Sequence, residues 1–509
     1  MNRISFDLHA SCQKYLCLHS TTEGLYFYWA QGMLCFMEAL SNLSRLSHEH
    51  KDELIRTLVA KVSQLSALVE ELQARLSKDS HNSSKPPSSD GLAKKTRSLR
   101  VSSGKKSGGQ VGHPGTTLKR SQHVDEVIEP PLPERCQACG TSLAGGEAQR
   151  VESRQVFDIP VGNYQVTEHR TRQLRCSCGH WHQSEFAEGV TETVQYGPNV
   201  RALAVYLAHG QLLPLARSAQ LIEQLFGLRV SQGTVQAWIE QASALLAPQV
   251  ERIAQALIDT PVAHADETGL RVASRLHWLH TAASEKHTWY GVHPNRGMLA
   301  IDEHGILPKR LGTLVHDCWK PYWQLDCTHA LCNAHLLREL TFLHETTGQR
   351  WPRRMIQCLL AARDRCEAAR QAGAVALSAG RVRKIFKDYE RIVNQAQCRN
   401  PRAIRRHKQR GRVKQTTAFN LLCRLREHAA EVLRFATDLR VPFTNNLGER
   451  AIRMPKVKQK ISGCFRTLKG AWHFCINRSY LDTLNKQGQN LFEALRQTFM
   501  GHPPAPDSG

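Results

Sequence analysis

The stretch Pro261–Gly269 reads Pro-Val-Ala-His-Ala-Asp-Glu-Thr-Gly. It begins as a short apolar run and then places Asp266 and Glu267 just before a glycine. A buried strand presents a carboxylate at its end in this way, where a metal ion or a substrate can reach it. A surface turn with two solvated acids explains the same letters. The interpretation therefore depends on partners elsewhere in the chain.

A second strand of the same design ends in Asp317, within Gly312-Thr-Leu-Val-His-Asp317. Between the two lie runs typical of antiparallel strands, Leu276–Ala282 and His287–His293. Three meandering strands, a fourth that ends in an acid and then helices are the order of a ribonuclease-H-like core, in which the first and fourth strands are adjacent. We therefore expect Asp266 beside Asp317. Their mutual repulsion requires a cation, and oxygen ligands suit Mg²⁺ or Mn²⁺.

The third acid is expected on a later helix, within Pro442–Lys456. Asn445 and Asn446 are capping-type residues, and Glu449 follows one turn into the helix. Arg453 shares the face of Glu449, and Lys456 is close enough to aim at the same phosphates. An ordinary ion pair between Glu449 and Arg453 on a solvated helix is the alternative.

Two other acids are weaker candidates for metal ligands. Glu267 follows Asp266 directly and so points to the opposite face of the strand. Asp326 rivals Asp317 only if the fourth strand is misplaced.

The charge balance predicts a polyanionic partner. The 509 residues hold 68 Lys+Arg against 45 Asp+Glu, a net charge of +23, and the pI is about 9.6. Nucleic acid is the simplest such partner. No run of 18 apolar residues suggests a membrane span, and charged residues interrupt the first 23 positions, unlike a signal peptide. Sixteen cysteines, mostly single, suit a reducing compartment. We expect a soluble protein of the bacterial cytoplasm, associated with the nucleoid when bound to DNA.

The first quarter of the chain divides by composition into three segments. Residues 1–49 form a poorly defined leader, in which later start codons leave translation of residues 1–40 open. Residues 50–77 carry leucines and valines at three- and four-residue steps, which predicts a coiled coil and self-association; an amphipathic helix packed on its own chain is the alternative. Residues 78–123 form a polar, basic linker that can track phosphates or serve only as a tether.

Residues 124–190 contain two tight cysteine pairs, each followed by glycine: Cys136 with Cys139, and Cys176 with Cys178. This spacing predicts a four-thiolate structural Zn²⁺ site, closed by strand-like segments at Arg154–Ile159 and Tyr164–Leu174. His180 or His182 can replace a thiol, and unbound reduced cysteines are the alternative.

Two further regions are predicted to contact DNA. Residues 191–258 read as three helices. The third, from Gln232 to about Leu246, opens with Gly233–Trp238 and is compatible with a helix-turn-helix, although generic packing explains the same pattern. The insertion 345–440 has predicted helical stretches at Trp351–Ala372 and Val382–Ala396, and it carries 23 Lys/Arg against 8 Asp/Glu. Its basic run is expected to contact the DNA backbone through seven side chains: Arg402, Arg405, Arg406, Lys408, Arg410, Arg412 and Lys414.

The ordered set of motifs resembles the transposases of the IS-sixty-six insertion-sequence family, of the Asp-Asp-Glu class. HADETG, LVHDCW, CNAH and NNLGERAIRMPKVKQKISGCFR carry the resemblance, together with the leucine-rich start, the SSKPPSSDG linker and the cysteine module. It implies that Asp266, Asp317 and Glu449 are the catalytic triad. It also implies that Cys332 and His335 match a signature after the second acid, for which helix packing is the alternative role.

The resulting prediction is a multidomain α+β protein. Its ribonuclease-H-like core spans 259–500 with a short tail at 501–509, and it cleaves transposon ends and transfers the 3′-hydroxyl strand to target DNA by a two-metal mechanism. A zinc-module DNA-binding regulator derived from an inactive transposase, or a metal-dependent nuclease of the same fold, are the alternatives. The partners are DNA and further copies of the chain. The sequence leaves open whether accessory transposition proteins take part.

Overall fold

The computed structural model describes residues 47–83, 120–124, 127, 135, 138–142, 144, 155, 164–175, 177–178, 181–183, 186–404 and 413–507. The chain divides into two compact units, Met1–Asp79 and Ser80–Gly509. The predictions for residues 1–46 and for most of the basic linker lie outside the described residues. Among the described helices, none is long and apolar enough to cross a bilayer.

The first unit contains one described helix, α1, which spans His48–Leu76. It confirms the helix predicted for residues 50–77. Its apolar side chains are exposed in the single chain; they include Leu54, Leu58, Val62, Leu65, Leu68, Leu72 and Leu76. A continuous exposed row of this kind is what a helix–helix seam requires. Self-association through α1 stays a prediction.

The second unit begins with a small two-stranded sheet, in which β1 (Gln173–Arg175) pairs antiparallel with β2 (Trp181–Gln183). The longer strand predicted for Tyr164–Leu174 is wrong over most of its length, because residues 164–172 have no regular structure and are mostly exposed. An apolar alternation forms a strand only when another element covers one face. The strand predicted at Arg154–Ile159 lies almost wholly outside the described residues.

The helices and strands of the rest of the second unit follow in chain order: α2 Pro198–Val205, α3 Leu215–Phe226, α4 Gln232–Asp259, β3 Val262–Val272, β4 Arg275–Ala283, β5 Thr288–His293, α5 Met298–His304, β6 Thr313–His316, β7 Thr328–Leu331, α6 Asn333–Thr347, α7 Arg350–Gln371, α8 Ala379–Arg399, α9 Thr417–Glu427, α10 Ala429–Val432, α11 Arg434–Thr437, α12 Asn446–Ser462, α13 Leu468–Lys486 and α14 Leu491–Phe499.

The central sheet has the strand order β5-β4-β3-β6-β7. Strands β3, β4 and β5 form the expected antiparallel meander, whereas β6 pairs parallel with β3, and β7 parallel with β6. The hairpin between β3 and β4 turns through Ala273 and Ser274, both with positive φ (47° and 64°), as a tight two-residue turn requires. The expected adjacency of the first and fourth strands is confirmed. Strand β7, only Thr328–Leu331, was not predicted.

Helix α4 was expected to end near Leu246, before Pro248, but it runs through this proline to Asp259. A proline removes one helical hydrogen bond, and that loss can be offset when the helix beyond it buries apolar surface. Ile253 and Leu257 are fully buried against the sheet residue Ala282. The extension therefore anchors the α2–α4 region to the central sheet.

The start of α4 is mainly a packing surface. Val235 and Trp238 are buried in a core shared with Tyr480 and Leu484 of α13. Packing, the alternative to DNA reading, accounts for these two side chains. The residues that stay exposed in the first turns include Gln232, Gly233 and Ala237.

The insertion has a hydrophobic core of its own. Helices α7 and α8 match the stretches predicted from the sequence to within a few residues. Met355, Leu359, Ile392 and Leu422 are buried there, among other side chains from α6 to α11. The described ends of the basic run therefore project from a helical domain whose core reaches the sheet at β7, where Leu331 packs among the helices.

Candidate active site

The parallel pairing of β3 and β6 sets the positions of the first two acids. Val262 pairs with Thr313, and His264 with Val315. Two residues further in the same register, Asp266 lies opposite Asp317, just beyond the end of β6. Neighbouring strands lie about 4.8 Å apart, so this register brings the two acids together where the β3–β6 pairing ends. The prediction that Asp266 ends its strand is wrong, because β3 continues to Val272 through its pairing with β4.

Asp266 lies in an environment that disfavours its charge. Burial raises the pKa of its carboxyl well above the usual range, and the nearby carboxylates of Glu267, Asp317 and Glu449 raise it further. The backbone N–H of Glu267 donates to Asp266 Oδ1 at 2.9 Å and lowers this pKa in part. One backbone hydrogen bond offsets only part of the repulsion among these carboxylates, and a bound cation would relieve the rest.

Glu267 is committed to other side chains. Its carboxylate accepts from Tyr322 Oη at 2.6 Å and from Arg296 Nη2 at 2.6 Å. The Arg296 guanidinium in turn lies over Trp278 and Trp319, 4.7 and 4.5 Å from the ring centroids. Burial raises the pKa of Glu267, and these two hydrogen bonds oppose the rise. Both carboxylate oxygens of Glu267 are engaged, which agrees with its treatment in the sequence analysis as a weaker candidate for a metal ligand.

Asn445 joins the Glu449 helix to the β3 strand. It occupies the N-cap position of α12, but its side chain makes no capping bond. Its Oδ1 accepts from His264 Nδ1 at 2.8 Å, and its Nδ2 donates to the Ala265 carbonyl at 2.8 Å. Burial lowers the pKa of His264 to about 4, so the ring is neutral, and we assign its proton to Nδ1. The predicted capping role of Asn445 is therefore replaced by a bridge to the residues just before Asp266.

Close contact reinforces this junction. A Cβ added to Gly448 would lie 2.9 Å from Asn445 Oδ1, so only glycine fits there without a shift. One residue further, Glu449 occupies the first turn of α12. The helix that carries the third acid is thus fixed directly against the strand that carries the first.

Cys332 and His335 lie beside Glu449. The Cys332 thiol donates to Glu449 Oε1 at 3.6 Å, and His335 Nδ1 lies 3.7 Å from the same oxygen. The sulfur, the imidazole nitrogen and the carboxylate oxygen all lie within 4.8 Å of one another. Helix packing alone, the alternative weighed for the Cys-x-x-His pair, does not describe this convergence on an acid.

The two cations of α12 have different surroundings. Lys456 Nζ donates to the Gly269 carbonyl of β3 at 2.8 Å, and burial lowers the pKa of this amine. Arg453 is exposed. The structure therefore engages Lys456 with the strand and leaves Arg453 on the surface, whereas the sequence suggested one phosphate-directed role for both.

Most of the other predicted site residues lie outside the described part of the chain. These are Cys136, Cys176, Arg405, Arg406, Lys408, Arg410 and Arg412. Cys139 and Cys178 are exposed, and so are Arg402 and Lys414 at the two ends of the basic run. The zinc site and the DNA-contacting run therefore stay predictions.

Comparison with known proteins identifies the class. A family model described as Transposase IS66 family matches residues 193–473, which is more than half of the chain. This range includes Asp266, Asp317 and Glu449, and the match places the chain among the transposases, enzymes that act on DNA. The chain belongs to the IS66 family of insertion-sequence transposases, as the motifs in the sequence indicated. Residues 39–119 match a family of unknown function (DUF6444), and a search of curated proteins finds no match.

Proposed function

We propose that this transposase cleaves transposon-end phosphodiesters and joins the freed 3′-hydroxyl to target DNA at one site formed by Asp266, Asp317 and Glu449. The observation that carries the proposal is the parallel β3–β6 register that brings Asp266 and Asp317 together, and the carboxylates of Asp317 and Glu449 both raise the pKa of Asp266. Like charges held together in a buried site are retained where a cation neutralises them. The DNA-acting role of the family supplies the substrate class.

The donor set fits Mg²⁺ or Mn²⁺. Both ions prefer oxygen ligands and keep open positions for water and substrate phosphates, and three carboxylates meet that preference. In the proposal Asp266 lies between the other two acids, and Asp317 and Glu449 each complete one side of the site. Bound divalent ions would activate the attacking hydroxyl and stabilise the leaving oxygen.

The remaining residues position this site or bind DNA. Asn445 holds α12, and hence Glu449, against β3. Arg453, exposed on the same helix, contacts the phosphodiester backbone, and Lys456 fixes the helix through the β3 carbonyl. Arg296 pairs with Glu267 and offsets part of its negative charge, which lowers the charge that a metal must offset.

The architecture is proposed as a ribonuclease-H-like core. Its support is the order β5-β4-β3-β6-β7 with a parallel β3–β6 pair, and the position of one acid on β3 and of another directly after β6. The accessory parts are proposed as a zinc module at residues 124–190, a DNA-backbone contact at Arg402–Lys414 and a dimer or higher oligomer through α1.

The test is cleavage and strand transfer on DNA that carries the element's ends, with Mg²⁺ present. We expect Asp266→Ala and Glu449→Ala to abolish both steps, and Asp326→Ala, which removes an exposed acid close in sequence, to leave them intact. Joined products distinguish a transposase from a nuclease that only cuts, and nicking distinguishes either from a binding protein. Activity that survives in Asp266→Ala contradicts the assignment.

A further inference from the structure

Three potential metal ligands of different chemical type meet beside the proposed catalytic site. Cys332 is the N-cap residue of α6, and His335 lies one turn into the same helix. Glu449 comes from the first turn of α12. The thiol, the imidazole and the carboxylate therefore approach one point from two helices that the Asn445 junction holds in place.

His335 has an unmet hydrogen-bonding group at this point. Its Nδ1 is buried and has no hydrogen-bond partner, although Glu449 Oε1 lies 3.7 Å away. A buried nitrogen without a partner is unfavourable unless a ligand or ion satisfies it. The unpaired Nδ1 of His335 is therefore available to a ligand that binds beside Glu449.

The Cys332 thiol keeps its proton in the metal-free chain: it donates to Glu449 Oε1, and burial together with the Glu449 carboxylate raises its pKa to about 12. Its sulfur also accepts from the backbone N–H of Asn445 at 3.1 Å, and a metal ion bound here would displace the thiol proton. The thiolate is the form of cysteine that binds metal.

We propose that Cys332, His335 and Glu449 bind one transition-metal ion of the zinc class, with an open fourth coordination position. Sulfur and imidazole ligands select such ions over Mg²⁺. Zn–S and Zn–N/O bond lengths place tetrahedral ligand atoms about 3.4–3.6 Å apart. The observed separations of 3.6 and 3.7 Å from Glu449 Oε1 are already close to that spacing.

The site is distinct from both metal sites predicted from the sequence. The four-thiolate module uses none of its ligands, and the three-carboxylate site shares only Glu449 with it. Only one consequence rests on the proposed function: a zinc-class ion and the catalytic ions would draw on the same Glu449 carboxylate.

The experiment measures bound zinc in the full-length protein. Purified chain is stripped of metal, reloaded with Zn²⁺ in excess Mg²⁺, and analysed for zinc per chain by mass spectrometry. Cys332→Ser and His335→Gln are each expected to bind one zinc ion fewer than the unmodified protein. Cys475→Ala, which alters a buried cysteine packed beside Leu270, is the matched control and is expected to bind the full amount. Metal in the cysteine module is common to all four proteins and cancels in the comparison.

Cobalt gives a second readout. The absorption spectrum of the Co²⁺-loaded protein, after subtraction of the spectrum of Co²⁺-loaded Cys332→Ser, should show a thiolate-to-cobalt band in the near ultraviolet. Equal zinc content in the unmodified protein and in folded His335→Gln overturns the proposal, even if Cys332→Ser misfolds. Because none of these readouts involves DNA cleavage, failure here is distinguishable from failure of the proposed catalytic role.

Discussion

Asn445 provides a sharp test of how the third acid is positioned, because its side chain joins α12 to β3 through two buried hydrogen bonds. In Asn445→Ala, the His264 ring N–H and the Ala265 carbonyl lose their partner. Each buried polar group left unsatisfied costs about 1–3 kcal/mol, so for the two groups we expect the free energy of unfolding to fall by about 2–6 kcal/mol. The extra space beside Gly448 also lets the first turn of α12 shift.

The catalytic effect should exceed the effect on folding. A displacement of a catalytic group by about 1 Å can cost about 100-fold in rate. We therefore expect at least about 100-fold slower Mg²⁺-dependent cleavage by Asn445→Ala, measured well below its unfolding midpoint. Urea unfolding followed by circular dichroism gives the stability change on the same preparation.

Asn400→Ala is the matched control. This buried asparagine also loses side-chain hydrogen bonds, to Gln349 and to the Ala396 carbonyl, but it lies in the helical insertion. We expect a comparable loss of stability with little change in cleavage rate. If the two variants cleave DNA equally well, the positioning role of Asn445 is refuted.

Three further predictions follow from the same contacts. Because the pKa of Asp266 is raised in the folded state, its contribution to the free energy of unfolding is favourable at low pH and is lost as the pH rises through that pKa. Metal-free Asp266→Asn should therefore melt at a higher temperature than the unmodified protein near pH 7. Thermal scans across pH should show that this difference vanishes below about pH 4. Arg453→Ala should lower the slope of DNA affinity against salt concentration by about one phosphate contact, as measured by filter binding over a salt series. Lys456→Met should leave this slope unchanged and should lower the free energy of unfolding by about 1 kcal/mol, as measured by urea unfolding. Arg296→Ala should destabilise by about 2–3 kcal/mol by leaving the Glu267 carboxylate unpaired, and the double variant Arg296→Ala/Glu267→Gln should recover part of that loss in the same unfolding assay.

The sheet was largely predictable because its strands carry local signals. The apolar run before Asp266, its repetition before Asp317 and the aromatic runs between them identified four of the strands and the β3–β6 adjacency. Strand β7 was missed because a four-residue stretch, Thr328–Leu331, carries too few positions for a period to appear. The end of α4 was misjudged because a local breaker, Pro248, competes with burial that only the folded sheet supplies.

The sequence predicted the acids of the site but not the residues that position them. Asp266, Asp317 and Glu449 stand in recognisable motifs, whereas Tyr322 reaches Glu267 from a short 3-10 helix and Arg296 from a loop, neither with a local signature. His264 lies two residues before Asp266 and so on the same strand face, which was the available hint of a polar partner there. That partner, Asn445, lies 181 residues away in the chain, and only the tertiary fold reveals it.

The central claim is that three carboxylates from β3, the end of β6 and α12 hold the catalytic ions together. Electron paramagnetic resonance of Mn²⁺ bound to the protein–DNA complex tests it most directly. We predict that Asp266→Asn loses the bound Mn²⁺, that Asp317→Asn and Glu449→Gln each reduce it, and that Asp326→Asn leaves it unchanged. Unaltered Mn²⁺ binding in Asp266→Asn would contradict the account.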